Sequence, residues 1–184
     1  ANQLFGSSMF LHNGRAVIGA PGYENRIGGV GVFHFNDETN TLDFTLRLSP
    51  TTASGNEMFG ASQVHDPSHT LWVGAPGANN REGAAYMFKP ADMMRAFSAK
   101  GEVDAQALQI RSSFGNAMAV GADFVVVGAS GYDNGEGAAI VYNQTESGWE
   151  QSTTILHDNG AMDSFAGEMV ECEEGNAAGF RCDN

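Results

Sequence analysis

The chain has 184 residues, 42% of them hydrophobic, and this length and composition suit one folded domain with its own core. Twenty-two acidic residues face nine basic ones, and the formal charge of −13 argues against nucleic acid and an anionic membrane surface as partners. No apolar run approaches the roughly 18 residues of a membrane-spanning helix, so we expect no membrane insertion. The charge either keeps the protein soluble or attracts cations or a basic partner. The chain opens on Ala1-Asn2-Gln3 without a signal-like segment, which indicates a processed product or a piece of a longer protein.

One pattern occurs three times and organises the chain. Each copy starts with a Phe-Gly pair, continues with an apolar strand ending in Gly-Ala, and closes with a loop and another apolar strand. The copies begin at Phe5-Gly6, Phe59-Gly60 and Phe114-Gly115, and Phe165-Ala166 is a fourth start without a second half. Twenty-four glycines and a repeat of about fifty residues with several strands per unit are typical of an all-β propeller.

The first two strands of each copy follow from the apolar pattern. We predict the first strand at 8–11, 62–65 and 117–120, and the second at 16–18, 71–73 and 124–127. The second strand is apolar without alternation, which predicts cover on both of its faces. The Gly-Ala pair that follows predicts a close neighbour that a larger side chain would obstruct.

The rest of each copy contains a loop and two further strands. Asparagine recurs in the loop at Asn25, Asn80 and Asn134, where a turn role is favoured over a ligand role because asparagine tolerates a left-handed backbone. We place the third strand at 31–33, 85–88 and 139–142. Leucine or phenylalanine stands at every second position of 42–48, which predicts a half-buried fourth strand in the first copy. In the second copy, Pro90 followed by good helix formers predicts helical turns over 90–100 and a fourth strand at 107–110.

Two features near the C-terminal end bear on the compartment. Cys172 and Cys182 lie ten positions apart without a Cys/His cluster, which disfavours zinc and favours a local disulfide and an oxidising compartment. Two reduced thiols are the alternative. Asn143-Gln144-Thr145 is an N-glycosylation sequon in an expected exposed turn, which agrees with secretion.

Together these motifs resemble the FG-GAP repeat, which builds the seven-bladed β-propeller head of integrin α chains and related extracellular proteins. Gly19-Ala20-Pro21 and Gly74-Ala75-Pro76 match the second half of the motif, and Ser130 replaces the proline in the third copy. The resemblance implies a single propeller segment over 1–184, built of four-stranded blades. The blades would span 5–50, 59–111 and 114–157, with part of a fourth at 165–184.

The sequence departs from this family in two respects. Many members carry an Asp-x-Asp-x-Asp-Gly calcium loop between the first two strands, whereas the connections at 12–15, 65–69 and 121–123 cannot supply the six to eight oxygens that calcium needs. We therefore expect no metal there, and a calcium role for Glu82, Asp133 and Glu136 has little support. Closed propellers need about four to eight blades, so this chain should be a segment of a larger propeller or be completed by another chain.

The resemblance implies an extracellular or cell-surface module that binds protein or glycan, without a cofactor, through the loops between strands. The candidate residues in the loops between the second and third strands are Tyr23, Glu24, Arg26, Asn79, Arg81, Tyr132 and Asp133. Tyrosine and arginine are favoured in interfaces, although Tyr23 and Tyr132 are equally compatible with packing on neighbouring blades. Two alternatives stay open: the propeller part of a secreted hydrolase or lyase, and a structural unit whose outer strands pair with other subunits.

Catalytic chemistry has little support in the sequence. The sequence contains no nucleophile elbow and no phosphate-binding glycine loop. His157-Asp158 and nearby Asp163 lack a paired nucleophile. His12, His65 and His69 fall in turns at strand ends, where we expect them to be solvated.

Overall fold

A computed structural model describes residues 2–12, 14–50, 55–92, 96–104, 111–146, 148–156, 172–175 and 179–182. These residues form antiparallel β-sheets joined by tight turns, so the predicted all-β fold class is confirmed. Within the described ranges, none of the helices has the length and apolar character needed to cross a lipid bilayer.

Three four-stranded sheets, called here the first, second and third sheet, follow one another along the described chain. The first sheet comprises β1 (Met9–His12), β2 (Arg15–Gly19), β3 (Val30–Asn36) and β4 (Thr41–Leu48). The second comprises β5 (Ser62–His65), β6 (Leu71–Ala75), β7 (Ala84–Asp92) and β8 (Ala96–Asp104). The third comprises β9 (Phe114–Val120), β10 (Phe124–Ala129), β11 (Ala138–Thr145) and β12 (Gly148–Leu156). Within every sheet the strands pair in chain order, so each sheet is a simple antiparallel meander.

The second sheet lies between the other two and is covered on both faces. Alternate residues of β6, among them Leu71 and Val73, pack with Val17 and Val30 of the first sheet. The intervening Trp72 packs in the opposite direction, in one cluster with residues of β10 and β11. All five residues of β6 are buried, as expected for an apolar strand without alternation. The prediction that neighbouring units cover this strand on both faces is therefore confirmed for the second sheet.

Neighbouring sheets meet through the Phe-Gly pairs, and the glycines of the motif permit their close approach. Gly60 and Gly115 have φ values of +89° and +85°, a region that glycine adopts without steric cost. A Cβ atom on Gly19 would lie 2.1 Å from the carbonyl oxygen of Gly60, and one on Gly74 would lie 2.0 Å from that of Gly115. The close neighbour predicted from the Gly-Ala pair is thus the Phe-Gly backbone of the following unit.

A β-bulge recurs between the third and fourth strands of all three sheets. It falls between Val32 and Phe33, between Met87 and Phe88, and between Val141 and Tyr142. In the first sheet Leu46 pairs with Val32 while Phe44 pairs with Phe33, so Phe44 and Leu46 point to opposite faces. The predicted uniform half-buried pattern of 42–48 is therefore wrong: Leu48 is buried, but Leu42 and Phe44 are exposed.

The outer half of the second sheet also differs from the prediction. Where helical turns were expected over 90–100, the described residues extend β7 to Asp92 and form β8 from Ala96. Backbone pairing between these strands completes the sheet and overrides a modest helix propensity. Pro90 lies beyond Phe88, where the pairing with β6 ends, so its missing N–H removes no bond to that strand. The fourth strand expected at 107–110 falls outside the described residues.

The cysteine pair and the glycosylation sequon, the two features that bear on the compartment, lie on strands. A separate hairpin consists of β13 (Cys172–Gly175) and β14 (Gly179–Cys182), in which Cys172 and Cys182 are direct backbone partners. Directly opposed strand residues have the Cα separation that a disulfide requires, and the disulfide stays a prediction. Asn143 is exposed but lies within β11, before the turn to β12, so its expected position in a turn is wrong. Its glycosylation is untested.

Candidate functional site

A compact left-handed turn joins the second and third strands of every sheet. The turns are α1 (Tyr23–Arg26), α2 (Ala78–Arg81) and α3 (Tyr132–Gly135). The recurring asparagines Asn25, Asn80 and Asn134 have φ values of +57°, +58° and +60°. Asparagine tolerates this region better than most residues, so the predicted turn role is confirmed.

The first two turns hold the next unit in place through their backbone. The amide of Phe59 donates to the Ile27 carbonyl at 3.0 Å, and Met58 donates to Arg26 at 2.8 Å. The amide of Phe114 donates to the Glu82 carbonyl at 2.9 Å in the same way. These two turns therefore present carbonyl groups to the following Phe-Gly segment, which gives the recurring turn a structural role.

The predicted binding residues of α1 interact mainly within the first sheet. The Arg47 guanidinium stacks over the Tyr23 ring at 4.7 Å from its centroid and donates a hydrogen bond to the Tyr23 hydroxyl. Arg47 also lies 3.6 Å from a carboxylate oxygen of Glu24, a solvent-exposed pair of small energetic value. Arg26 donates to the Met58 sulfur at 3.3 Å, so its side chain lies against the next unit.

The predicted residues of α2 and α3 differ in exposure. Asn79, Arg81 and Asp133 are exposed. Tyr132 is half-buried and packs on the core shared by the second and third sheets, as the packing interpretation expected. All three turns close the same end of their meanders, so the exposed side chains lie on one end of the stack of sheets.

Three histidines meet at the other end, where the first strand of a sheet turns into the second. His12 ends β1, His65 ends β5, and His69 lies in the turn between β5 and β6. The centroids of His12 and His65 are 4.4 Å apart, and those of His65 and His69 are 5.5 Å apart. One ring nitrogen from each histidine lies within 4.8 Å of the other two. The first and second sheets thus bring together side chains that are 53 and 57 positions apart in sequence.

Neighbouring side chains hold this histidine cluster, defined here as His12, His65 and His69. The Phe10 ring stacks on His65 at 5.3 Å with an interplanar angle of 13°. Asp66 is buried and accepts hydrogen bonds from Ser68 Oγ, the Thr70 amide and Trp72 Nε1. The Asp66 carboxylate therefore shapes the turn that carries His69.

The electrostatics of the cluster favour neutral imidazole at its centre. Burial lowers the pKa of His65 below its ordinary value, and the neighbouring His12 and His69 lower it further. Asp66 acts in the opposite direction with the smallest effect. The lowered pKa therefore favours the neutral form of His65, which has a lone pair on one ring nitrogen.

Sequence reasoning missed this cluster because it treated the three histidines as separate solvated residues. His12 and His65 both lie at the end of a first strand, and stacking of consecutive units brings these strand ends together. That signal was present in the sequence, but it requires a pairing of units that periodicity alone does not specify. His157, Asp158 and Asp163, the weak catalytic candidates, lie outside the described residues.

No protein-family model matches the sequence, and no curated protein matches it. The resemblance to FG-GAP repeats thus depends on the residues quoted above.

Proposed function

We propose that this chain is an extracellular, non-enzymatic propeller segment of FG-GAP type that binds protein or glycan through the loops at one end. The observation that carries the proposal is the repeated Phe-Gly contact between sheets. The backbone of Phe59 pairs with Gly28 of the preceding unit, while its ring packs edge-on against Tyr86 of its own sheet. Phe114 likewise pairs with Gly83 of the preceding unit and packs edge-on against Tyr142 of its own sheet. One contact used twice in register is how a repeat architecture extends.

The outer faces of the stack support further units of the same kind. Phe5, the first-copy counterpart of Phe59, is 59% exposed although it still contacts Phe33 edge-on. Met9 and Leu11 are exposed on the same outward face of the first sheet. Contiguous exposed apolar side chains mark an interaction surface.

Among the described residues, an open groove on the third sheet takes the place of the Phe-Gly contact. The groove is lined by Gly128, Gly137, Ile155 and Leu156, among others. The nearest neighbours of a Cβ atom on Gly128 would be Asn116 and Ala117 of its own sheet. At the equivalent positions Gly19 and Gly74, a Cβ atom would meet the backbone of the next unit. A Phe-Gly segment fits this position.

The unit that fills this groove should come from a longer form of the chain or from another chain. Phe165-Ala166 has alanine where the other copies have glycine. Gly60 and Gly115 use φ values near +90°, which are strained for alanine. This difference favours a partner unit with an intact Phe-Gly pair.

The binding role of the loop end can be tested with exposed residues. We expect Arg81→Ala and Asn79→Ala to weaken binding to any partner found by glycan array or pull-down from extracellular extracts. Glu38→Ala is the matched control, because Glu38 is exposed in the turn between β3 and β4 at the opposite end. Equal binding by all three variants would remove the loop assignments.

The stacking role can be tested separately by light scattering coupled to size exclusion. Association of copies, or of this chain with a longer form, should weaken when Leu11→Lys places a charge on the outward face of the first sheet. A monomer at every concentration, with no binding to a longer form, would contradict the proposed stacking.

A further inference from the structure

We propose that His12, His65 and His69 bind a divalent transition-metal ion of the zinc type, which links the first sheet to the second. The site is independent of the proposed function, because it lies at the end of the sheets opposite to the turns α1, α2 and α3.

The geometry is close to that of a three-histidine site. Zinc bound to imidazole at 2.0–2.1 Å in a tetrahedral arrangement places the ligand nitrogens about 3.3 Å apart. The candidate nitrogens lie within 4.8 Å of one another, so an inward movement of about 1.5 Å closes the site around an ion. His69 is exposed and lies in a turn, so a change of side-chain rotamer can supply most of this movement.

The backbone at His69 favours the same interpretation. His69 has φ +65°, in the left-handed region, and its amide donates to the Asp66 carbonyl at 2.9 Å. Asparagine or glycine adopts this turn more readily, although histidine is also enriched there. The turn directs an imidazole toward the end of β1.

The donor set selects the class of metal. Imidazole nitrogen suits zinc, copper and nickel, whereas calcium and magnesium require oxygen ligands. The carboxylate of Asp66, which acts electrostatically on His65, is already engaged by three hydrogen-bond donors, so it does not convert the cluster into an oxygen site. Three nitrogens leave one tetrahedral position open for water or a further ligand. The formal charge of −13 raises the local concentration of cations.

Binding should stabilise the contact between the first two sheets. One ligand comes from β1 and two come from the end of β5 and the turn that follows it. An ion that binds only the folded state raises the unfolding temperature in proportion to the logarithm of its concentration. We therefore expect metal-dependent thermal stability.

The test uses untagged full chain, freed of metal with a chelator and titrated with zinc chloride in a calorimeter. We expect one equivalent to bind and the unfolding temperature to rise. His69→Gln, which alters an exposed side chain, should lower the affinity for zinc at least about tenfold, and His12→Gln should do the same. His34→Gln is the matched control, because His34 is an exposed histidine on β3 outside the cluster.

A double substitution of Cys172 and Cys182 to serine removes the competing thiols and should leave zinc binding unchanged. Cobalt provides a second readout, because a three-nitrogen site gives visible absorption bands that His69→Gln should abolish. Absence of zinc binding, or equal binding by His69→Gln and His34→Gln, would overturn the assignment. Loss of binding in the cysteine variant alone would also overturn it, since the thiols would then be the ligands.

Discussion

The second sheet and the two outer sheets have the same meander and nearly the same motif, yet they differ in burial. The residue before Gly-Ala is half-buried in the first sheet (Ile18) and fully buried in the other two (Val73 and Val127). One position earlier, Val17 and Trp72 are buried, while Val126 of the third sheet is half-buried. The exposed position changes with the side on which a neighbour is missing.

This comparison shows that burial of the second strand is supplied by adjacent units rather than by its own sheet. An apolar strand in a four-stranded meander has two faces to cover, and a sheet cannot cover either of its own faces. Phe59 and Phe114 are fully buried, whereas Phe5 is 59% exposed, because Phe5 has no preceding sheet among the described residues.

The largest effect is expected from the Phe-Gly phenylalanines. Phe59→Ala should lower the free energy of unfolding by about 3–5 kcal/mol, since it leaves a cavity between the first two sheets. Phe5→Ala should cost less than about 1 kcal/mol, because Phe5 is largely exposed. Urea unfolding measures both values, and equal losses would contradict the difference between inner and outer sheets.

The next effect is expected at the glycines of Gly-Ala. Gly74→Ala should destabilise by about 1–3 kcal/mol, because the new Cβ would lie 2.0 Å from the Gly115 carbonyl oxygen and force the sheets apart. Gly128→Ala is the matched variant, since its Cβ would meet nothing closer than 3.2 Å. Thermal unfolding should separate them, and an equally large loss for Gly128→Ala would indicate a unit already docked on the third sheet.

A smaller effect is expected at the serine that links consecutive sheets. Ser62 donates to the Gly115 carbonyl at 2.6 Å, as Ser8 does to that of Gly60 at 2.8 Å. Ser62→Ala should cost about 1 kcal/mol, the net value of a hydrogen bond. The third sheet has Ala117 at this position, and Ala117→Ser should leave the free energy of unfolding, measured by chemical denaturation, unchanged. A gain in stability for Ala117→Ser would show that a carbonyl from a further unit is present.

The smallest effect concerns pH at the contact between the first and second sheets. Burial and the nearby His12 and His69 lower the pKa of His65, and Asp66 opposes them only weakly. Below the ordinary histidine value of 6.5, the unfolded chain binds a proton that folded His65 resists, so stability falls as the pH falls and is fully present above that value. The unfolding temperature is measured at pH 7.5 and 5.5 in buffer that contains a chelator. His65→Gln should make its decrease between these two pH values smaller, while His34→Gln should not. An unchanged loss in His65→Gln would show that His65 does not contribute.

Sequence reasoning predicted the features that depend on one unit or on the motif that joins units. The left-handed Asn25 turn and the close approach at Gly19 follow from the steric properties of single residues. The bulge that exposes Phe44 was not predictable, because the sequence alternates regularly while the extra residue is set by pairing with β3. The histidine cluster was missed because its members come from two sheets and meet only when those sheets stack.

Amide hydrogen exchange followed by mass spectrometry compares the burial of the second strand in the three sheets. If neighbouring units cover the second strand, peptides spanning β6 should exchange more slowly than peptides spanning β2 or β10, although all three are central strands of equivalent meanders. Equal protection of the three strands, or fastest exchange in β6, would contradict an account in which stacking on both sides buries the second sheet.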